Sequence, residues 1–445
     1  MSYIIFRTKY TEGLEPPAFV PSGTYTITQE GTYNISSYEF VKIDVSRGFQ
    51  KVFVSYGNDG YNATWALKKD GTFWGCGRGT EGEQGNGSNS ENIYVFTQRM
   101  SDVADAFYTE RNTGGVTWAI KKDGSLWGTG FNSFYQQSSG NNTNVLSFTQ
   151  RLSNVRKVKV SPATEETWAI KNDGTLWGCG RNFTGCQGTG SSSGEVHTFT
   201  QRMTDVVDVS PSNNTTWVIK NDGTLWGCGQ NTSGQQGNGT YKNQVTTFTQ
   251  RLGNIKQVEC SSNSTYALDN SGVLWVTGSN SSGAIGRGSN TREVTFTQVI
   301  DNVKKIFCSN TTAWVIRNDN TLWGTGQNNY GQQGSGNTAT VTTFTQRLNN
   351  VVDVACISNA TWAIRTDNTL WGCGQNNFGQ QGTPDTSNVT VFTQRMTGVS
   401  KVYSSYGTTW AIKTDNTLWG CGVGNYGQQG NIDGSNVTVF TQRNF

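Results

Sequence analysis

Apolar and polar residues alternate along a segment that recurs throughout this chain. The copy from Ala360 to Gly382 reads ATWAIRTDNTLWGCGQNNFGQQG. Alternation in TWAIR and TLWGC has the period of a β-strand with one buried face. The polar pair Asp367-Asn368 lies between these two segments, and both residue types tolerate the positive φ of a tight turn. The pattern therefore predicts a β-hairpin.

Tryptophans mark eight copies of this hairpin. The first tryptophan of the copies falls at Trp65, Trp118, Trp168, Trp217, Trp314, Trp362 and Trp410, with Tyr266 in the missing place. The second follows nine residues later at Trp74, Trp127, Trp177, Trp226, Trp275, Trp323, Trp371 and Trp419. These positions account for all 15 tryptophans, so the tryptophans belong to the repeat and do not mark a single site.

Each repeat contains two further segments of strand character. A VxxV segment precedes the hairpin, as in Val351 to Val354, and a Phe-Thr-Gln segment follows it. Arginine comes directly after Phe-Thr-Gln in seven of the eight repeats, and Val299 takes its place in the fifth. Four short antiparallel strands every 48 to 53 residues are typical of a β-propeller blade. We therefore predict an all-β propeller over residues 48–445.

The first 47 residues have a different texture. Residues 1–20 form an arm with Pro16-Pro17, and residues 21–47 contain GTYTITQEGTYNISSYEFVKIDV, which predicts two or three short strands. This small β module is too short for a strong core of its own. We expect it to dock on the propeller or on another chain, where it would provide a route to a homo-oligomer.

The repeat resembles a known family at its Trp-Gly strand and the turn after it. The run from Gln327 to Gly334, QNNYGQQG, and the related Gly379 to Gly382 and Gly427 to Gly430 are similar to the RCC1 repeat (regulator of chromosome condensation), whose usual form ends in a GQLG-like turn. The resemblance covers about residues 48–445 and implies a propeller that commonly has seven blades. Eight repeats favour eight blades here, while seven blades with an unpaired unit, or an open spiral, stay as alternatives.

The order of the segments also raises an expectation about ring closure. If structural blades are offset from sequence repeats, the last strand at Phe440 to Gln442 would complete the blade that begins near Phe49. Such a clasp would remove two exposed strand edges. The fifth repeat departs most from the others, and we interpret its changes as sequence drift rather than as a docking blade.

Composition and charge exclude some partners. The formal net charge is +3 and charged residues make up 15%, so we expect no nucleic-acid partner. We also expect no membrane span, because no run of about 18 apolar residues occurs. The N-terminus lacks the pattern of a secretion signal, which favours folding in a cytoplasm.

The nine cysteines follow the repeat. Cys76, Cys179, Cys228, Cys373 and Cys421 share one position with Thr129, Thr277 and Thr325 of the other repeats. Cys260, Cys308 and Cys356 share a second position, and Cys186 stands alone in a Gly-rich loop. Because a metal ligand does not exchange with threonine, we predict buried free thiols.

No cluster of catalytic residue types breaks the repeat. The single histidine, His197, is expected in a solvated loop, and the arginines after Phe-Thr-Gln are expected to pair neighbouring blades rather than to bind a ligand. The GxG of TLWGCG recurs at blade spacing with no helix after it, unlike a phosphate loop. We therefore predict no catalytic residues, no cofactor and no metal site.

Recognition is predicted in the connections that vary. With strands running up and down, the first-to-second and third-to-fourth connections share one face, and loops on a rigid scaffold often carry recognition. The candidate binding residues in these connections are Tyr61, Glu110, Arg111, Phe134, Tyr135, Glu165, Glu166 and Tyr241.

Three functions are weighed. The N-terminal module is similar to short modules of bacteriophage tail and fibre proteins, which implies a non-enzymatic virion scaffold whose loop face contacts a host-surface glycan or protein, or other virion proteins. A glycan-degrading virion enzyme is the enzyme alternative, and its acids would be drawn from Glu81, Glu83, Glu91, Glu110, Glu165 and Glu166. The RCC1 resemblance implies the third function, a protein-interaction or GTPase-regulating module. The low net charge of the chain argues against this function.

Overall fold

The computed structural model describes residues 48–54, 63–111, 114–161, 165–261, 263–357, 359–405, 407–431 and 433–445. These residues belong to the compact unit Gly48–Phe445. The arm and β module predicted for residues 1–47, with their phage-like resemblance, lie outside the described residues, as does Tyr61.

The described residues form 32 β-strands and no helix. Blades 1 to 4 contain β1 Phe49–Val54, β2 Ala63–Lys68, β3 Phe73–Gly77, β4 Ile93–Met100, β5 Val103–Arg111, β6 Gly114–Lys121, β7 Leu126–Gly130, β8 Val145–Leu152, β9 Val155–Val160, β10 Glu166–Lys171, β11 Leu176–Arg181, β12 Glu195–Met203, β13 Val206–Ser212, β14 Thr215–Lys220, β15 Leu225–Gly229 and β16 Val245–Leu252. Blades 5 to 8 contain β17 Ile255–Cys260, β18 Ser264–Asp269, β19 Leu274–Gly278, β20 Glu293–Ile300, β21 Val303–Cys308, β22 Thr312–Arg317, β23 Leu322–Gly326, β24 Val341–Leu348, β25 Val351–Ile357, β26 Ala360–Arg365, β27 Leu370–Gly374, β28 Val389–Met396, β29 Val399–Ser404, β30 Thr408–Lys413, β31 Leu418–Gly422 and β32 Val437–Arg443.

These strands form eight antiparallel four-stranded sheets, each made of four consecutive strands. The first strands of neighbouring blades contact one another, and β1 contacts β29, so the blades form a closed ring. The prediction of an eight-bladed all-β propeller is confirmed. The expectation of an offset clasp is wrong, because β32 pairs with β31 inside its own repeat.

The hairpin of each blade packs a tryptophan against a glycine. In blade 7, Trp362 lies opposite Gly372 in the register of β26 and β27, and its indole is fully buried. A Cβ on Gly372 would come within 2.5 Å of the Trp362 ring. The second glycine of the motif, Gly374, has a φ of 104°, which favours glycine as well. The Trp-Gly pattern of the sequence thus reflects close strand packing.

The Phe-Thr-Gln segment joins neighbouring blades. Its phenylalanine packs at a steep angle against the first tryptophan of the preceding blade, with ring centroids 5.7–5.9 Å apart. These pairs are Trp65–Phe148, Trp118–Phe199, Trp168–Phe248, Trp217–Phe296, Trp314–Phe392, Trp362–Phe440 and Trp410–Phe96. Because Trp410–Phe96 joins blade 8 to blade 1, the closing interface has the same contact as the others.

Backbone bonds and the C-terminal residue complete this closure. The Phe49 N–H donates to the Asn416 carbonyl at 3.0 Å, as Val103 N–H donates to Gly71 between blades 1 and 2. Phe445 stacks on Phe96 with ring centroids 4.1 Å apart, and Lys68 Nζ donates to the Phe445 backbone oxygen. Packing therefore closes the ring without an exchanged strand.

Charged residues on the first strands also link specific blades. Lys51 lies 2.8 Å from Asp105, and Lys157 lies 2.6 Å from Asp208. The same strand position holds Lys305 and Asp353 in blades 6 and 7, at 3.8 Å. Three neighbouring pairs of blades therefore match a lysine to an aspartate, which the sequence analysis missed because the pairing crosses repeats.

Candidate functional site

The GQQG segment is a structural loop that joins two blades. In blade 7, Gln381 Nε2 donates to the Cys373 carbonyl of its own blade at 3.0 Å. The Gln380 carbonyl accepts the thiol of Cys421 in blade 8 at 3.4 Å. Threonine bonds the adjacent carbonyl of the same loop elsewhere, as Thr129 Oγ1 does to Gly82 at 2.8 Å. A small side chain with one donor therefore suits this position, which explains the exchange of cysteine and threonine.

The cysteines are free thiols, as predicted. Seven of them are buried, whereas Cys260 and Cys308 are half-buried. Burial raises the pKa of Cys76, Cys228 and Cys421, which disfavours the reactive thiolate. No group of three His, Cys, Asp or Glu side chains is placed to hold a metal ion within the described ranges.

The arginines after Phe-Thr-Gln lie between blades. Burial lowers the pKa of Arg443, which lies near Cys76 of blade 1 and Cys421 of its own blade. Arg202 likewise lies near Cys228 of the next blade. This placement agrees with the predicted inter-blade role.

The variable connections bring two predicted residues together around an arginine. The Arg181 guanidinium lies 5.0 Å from the ring centroid of Phe134 in blade 2 and 4.6 Å from that of Phe183 in its own loop. Its Nη1 lies 3.2 Å from Glu165 Oε2, and the Glu165 side chain is largely buried. These four residues, Phe134, Glu165, Arg181 and Phe183, are called the Arg181 cluster below.

The backbone fixes the position of the Arg181 cluster. Arg181 ends β11, and its N–H donates to the Glu165 carbonyl at 3.3 Å. Gly180 precedes it with a φ of 99°, and a Cβ there would come within 2.3 Å of the Glu165 carbonyl oxygen. Phe134 also packs edge-on against Phe131, with centroids 6.3 Å apart. The guanidinium therefore contacts two aromatic rings and one carboxylate.

Tyr135 and Tyr241 make separate contacts. Tyr135 stacks on His197 with ring centroids 3.8 Å apart. His197 is exposed, as expected from the sequence, although it lies in β12 rather than in a loop. Tyr241 is 43% exposed and lies under Arg292, whose guanidinium is 4.6 Å from its ring. Tyr241 belongs to the loop between β15 and β16 in blade 4, which is equivalent to the loop after Arg181 in blade 3.

The remaining candidates are less accessible or lie at strand ends. Glu166 begins β10 and is fully buried, and Glu110 and Arg111 end β5, where the backbone alone is described. Among the acids of the enzyme alternative, Glu83 is fully buried and accepts the Glu81 N–H at 2.7 Å. Glu81 also accepts a hydrogen bond from Asn144 Nδ2 at 2.6 Å, so both acids are engaged in loop contacts.

Sequence reasoning missed Arg181 and Phe183. Glutamine occupies the position of Arg181 in blades 4, 6 and 7, at Gln230, Gln327 and Gln375. That departure was the available signal, but the contact with Phe134 depends on the placement of a neighbouring blade. No helix in the described residues has the length and apolarity that a membrane crossing requires.

The comparisons with known proteins agree with this fold. The model of the Regulator of chromosome condensation (RCC1) repeat matches residues 222–268, from the hairpin turn of blade 4 to the second strand of blade 5. No curated protein matches the chain by sequence.

Three solved structures share the fold. Yeast RCC1 (Prp20) bound to Kap60 has a TM-score of 0.58 at 17% identity, over 72% of this chain and 84% of that one. Prp20p from Saccharomyces cerevisiae, studied for its binding to Gsp1p and histones, has a TM-score of 0.56 at 17% identity, over 72% and 86%. Human WBSCR16 has a TM-score of 0.55 at 16% identity, over 79% and 96%. The predicted resemblance is confirmed: residues 222–268 match the RCC1 repeat, and the fold of the chain is similar to that of the RCC1 β-propellers.

Proposed function

We propose that the propeller is a protein-binding module that contacts its partner through the Arg181 cluster. The observation that carries this proposal is the Arg181 guanidinium, which lies within 5.0 Å of the Phe134 and Phe183 ring centroids and is paired with Glu165. Arginine and aromatic residues dominate the binding energy of protein interfaces when they are well packed. The cluster presents both types on one rigid surface.

The contacts within the Arg181 cluster reduce the side-chain conformational entropy that binding a partner would remove. Phe183 is 40% exposed. The other three residues of the cluster, Phe134, Glu165 and Arg181, contact one another across blades 2 and 3. An ordered side chain loses less freedom on association than a mobile one. The exposed face of Phe183 can therefore bury apolar surface against a partner at a low entropic cost.

The fold neighbours support a protein as the class of partner. Yeast RCC1 was solved in complex with Kap60, and the binding of Prp20p to Gsp1p and histones was examined. These comparisons favour the RCC1-like alternative and give no support to the virion setting or to a host-surface glycan, which stay predictions. The proposal concerns protein binding and assigns no exchange activity.

Affinity capture from an extract of the source organism tests the proposal. Phe183→Ala should weaken capture of the specific partner by about thirtyfold, equivalent to ~2 kcal/mol for an interface anchor. Arg181→Gln, which introduces the residue found at Gln230 and Gln327, should weaken capture as well. Titration calorimetry with the captured protein would give the affinities.

Tyr241→Ala is the matched control, because Tyr241 is an aromatic residue of similar exposure on another connection of the same kind. It should retain the partner. Equal capture by wild type, Phe183→Ala and Arg181→Gln would reject the Arg181 cluster as the contact surface. Loss with Tyr241→Ala alone would move the binding surface to blades 4 and 5.

A further inference from the structure

The seven arginines that follow Phe-Thr-Gln lie between blades, yet none of them forms an ion pair within the described residues. They are Arg99, Arg151, Arg202, Arg251, Arg347, Arg395 and Arg443. Each is half-buried, and burial lowers the pKa of each guanidinium. Each Nε atom is enclosed and has no acceptor in the part of the chain that the structure describes. These guanidinium groups have therefore lost part of their hydration without gaining a partner, whereas buried charges are normally paired.

Arg99 lines a groove between blades 1 and 2. The groove has a volume of about 430 Å³, and its lining residues are Gln98, Arg99, Met100, Ser101, Lys121, Trp127 and Phe148. Lys121 ends the second strand of blade 2, and its ammonium lies 4.9 Å from the Trp127 ring centroid. None of the lining residues is acidic. The groove therefore has two positive charges and no negative one in its wall.

The donors of this groove are not used by other residues. Neither the Arg99 guanidinium nor the Lys121 ammonium donates a hydrogen bond to a described residue, and the Gln98 amide also has no described partner. Asp123, in the turn after Lys121, accepts the Ser125 hydroxyl at 2.6 Å instead. Guanidinium, ammonium and amide N–H groups thus line one groove without an acceptor.

Two further blade interfaces repeat this pair of cations. Arg151 of blade 2 is matched by Lys171 of blade 3, and Arg395 of blade 7 is matched by Lys413 of blade 8. Each lysine lies over the second tryptophan of its blade, with the ammonium 4.4 and 5.3 Å from the ring centroid. Neither ammonium has a hydrogen-bond or ion-pair acceptor among the described residues. Three interfaces therefore combine an arginine and a lysine that are both unpaired.

At the other interfaces the second cation is engaged or one of the two is replaced. The acceptors are Asp205 for Lys220 at 3.8 Å, the Asn349 carbonyl for Arg365 at 3.2 Å and the Phe445 backbone oxygen for Lys68. Blade 5 has Asp269 at the position of the lysine, and Val299 replaces its arginine. The chain thus contains matched interfaces that lack the unpaired pair of cations.

We propose that the grooves at Arg99, Arg151 and Arg395 each bind a small tetrahedral oxyanion of the phosphate type. Arginine and lysine donate charge-assisted hydrogen bonds to phosphate oxygens, and one phosphate group accepts from several donors at once. Because each Nε is enclosed, the Nη atoms donate to the anion. A guanidinium that is partly out of water attracts an anion more strongly than a fully hydrated one. The bound anion lies between the arginine of one blade and the lysine of the next, and so links the two blades.

Scanning calorimetry with and without inorganic phosphate tests the proposal. A ligand that binds only the folded protein raises the Tm, and phosphate also stabilises proteins in general. The measured quantity is therefore the rise in Tm on adding phosphate, compared between variants. Arg99→Gln should lose about a third of the binding part of this rise, because it removes one of three sites, and the triple variant Arg99→Gln, Arg151→Gln and Arg395→Gln should lose nearly all of that part. Glycerol phosphate in a parallel scan shows whether a phosphate monoester is accepted as well as the free ion.

Arg251→Gln is the matched control, because Asp269 stands in place of the lysine at its interface. This variant should keep the full rise in Tm with phosphate. Equal rises for wild type and the triple variant would overturn the proposal, since a general salt effect would act on both alike. Crystals soaked in tungstate should show anomalous peaks in the three grooves, and peaks only elsewhere would also overturn it. All of these variants leave the Arg181 cluster unchanged, so the outcome is independent of the proposed protein binding.

Discussion

Blades 4 and 5 have the same four-stranded topology but fill one interior space with different residues. In blade 4, Trp217 packs over Gly227, and Gln236 reaches into the same region with its amide oxygen. A Cβ on Gly227 would come within 2.6 Å of both side chains. Tryptophan and glutamine therefore leave room for glycine alone at this position.

Blade 5 changes all three residues at once. Tyr266, Val276 and Ile285 stand in their places, and all three are buried in one core cluster. The smaller tyrosine ring leaves space for the valine, and its hydroxyl donates to the Ala284 carbonyl at 3.0 Å. The changes at these three positions of blade 5 thus compensate for one another in volume and hydrogen bonding. This refines the interpretation of the changes as sequence drift.

The hairpin turn is compensated in the same way. In blade 4, Thr224 donates to Asp222 and accepts the Trp226 indole N–H at 2.9 Å. Blade 5 has Val273 at the threonine position, and Asp269 accepts both the Val273 N–H and the indole N–H of its tryptophan. In blade 5 the Asp269 carboxylate therefore accepts the hydrogen bonds that are divided between Asp222 and Thr224 in blade 4.

The largest expected effect comes from placing one residue of the blade 5 set into blade 4. Gly227→Val would press a branched side chain into the fully buried Trp217 and break the Gln236 bond to Cys228. We expect a loss of about 3 kcal/mol in unfolding free energy, the upper range for overpacking. Urea unfolding followed by tryptophan fluorescence would measure it.

The matched control is the complete set in blade 4: Trp217→Tyr, Gly227→Val and Gln236→Ile together. If the three residues act as a unit, this triple variant should recover most of the lost stability, to within about 1 kcal/mol of wild type. A triple variant as unstable as the sum of its single changes would show that blade 5 depends on features outside these positions.

A smaller effect is expected at the turns. Thr224→Val removes one acceptor from the half-buried Trp226 and should cost about 1 kcal/mol, whereas Asp269→Ala leaves two donors without their partner and should cost about 2 kcal/mol. Thr224→Ser keeps the hydroxyl and should resemble wild type. Equal losses for Thr224→Val and Asp269→Ala would contradict the view that Asp269 combines two roles.

The sequence was most informative where the chain repeats. Period-two alternation and the turn pairs predicted the hairpins, and the exchange of Cys373 with Thr325 predicted buried thiols, because repetition averages over eight local environments. The Arg181 cluster and the Lys51–Asp105 pair depend on which blades become neighbours in the ring. Repeat spacing alone gives no distance between side chains of different blades, so those contacts could not be predicted.

The smallest effect concerns the loop position that Ala284 occupies in blade 5 and Glu83 occupies in blade 1. Most other blades have glutamine there, and Gln332 Oε1 accepts the Tyr330 N–H at 2.9 Å, as Glu83 Oε2 accepts the Glu81 N–H. Burial raises the pKa of Glu83, although Arg78 nearby partly opposes the shift. Glu83→Gln keeps the acceptor and removes the buried charge.

The sign of the pH dependence follows from that raised pKa. Below the unfolded-state pKa of about 4.3 the Glu83 carboxyl is neutral in both states and has no effect on the pH dependence of stability. As the pH rises through the folded pKa, the buried group must ionise or hold its proton at a cost, and wild-type stability falls relative to the variant. Glu83→Gln should therefore raise the Tm at pH 7 by less than the turn variants lower it, with a smaller gain near pH 4. Scanning calorimetry at both pH values would measure the difference, and a variant that is less stable than wild type at pH 7 would show that the pairing with Arg78 outweighs the burial of the charge.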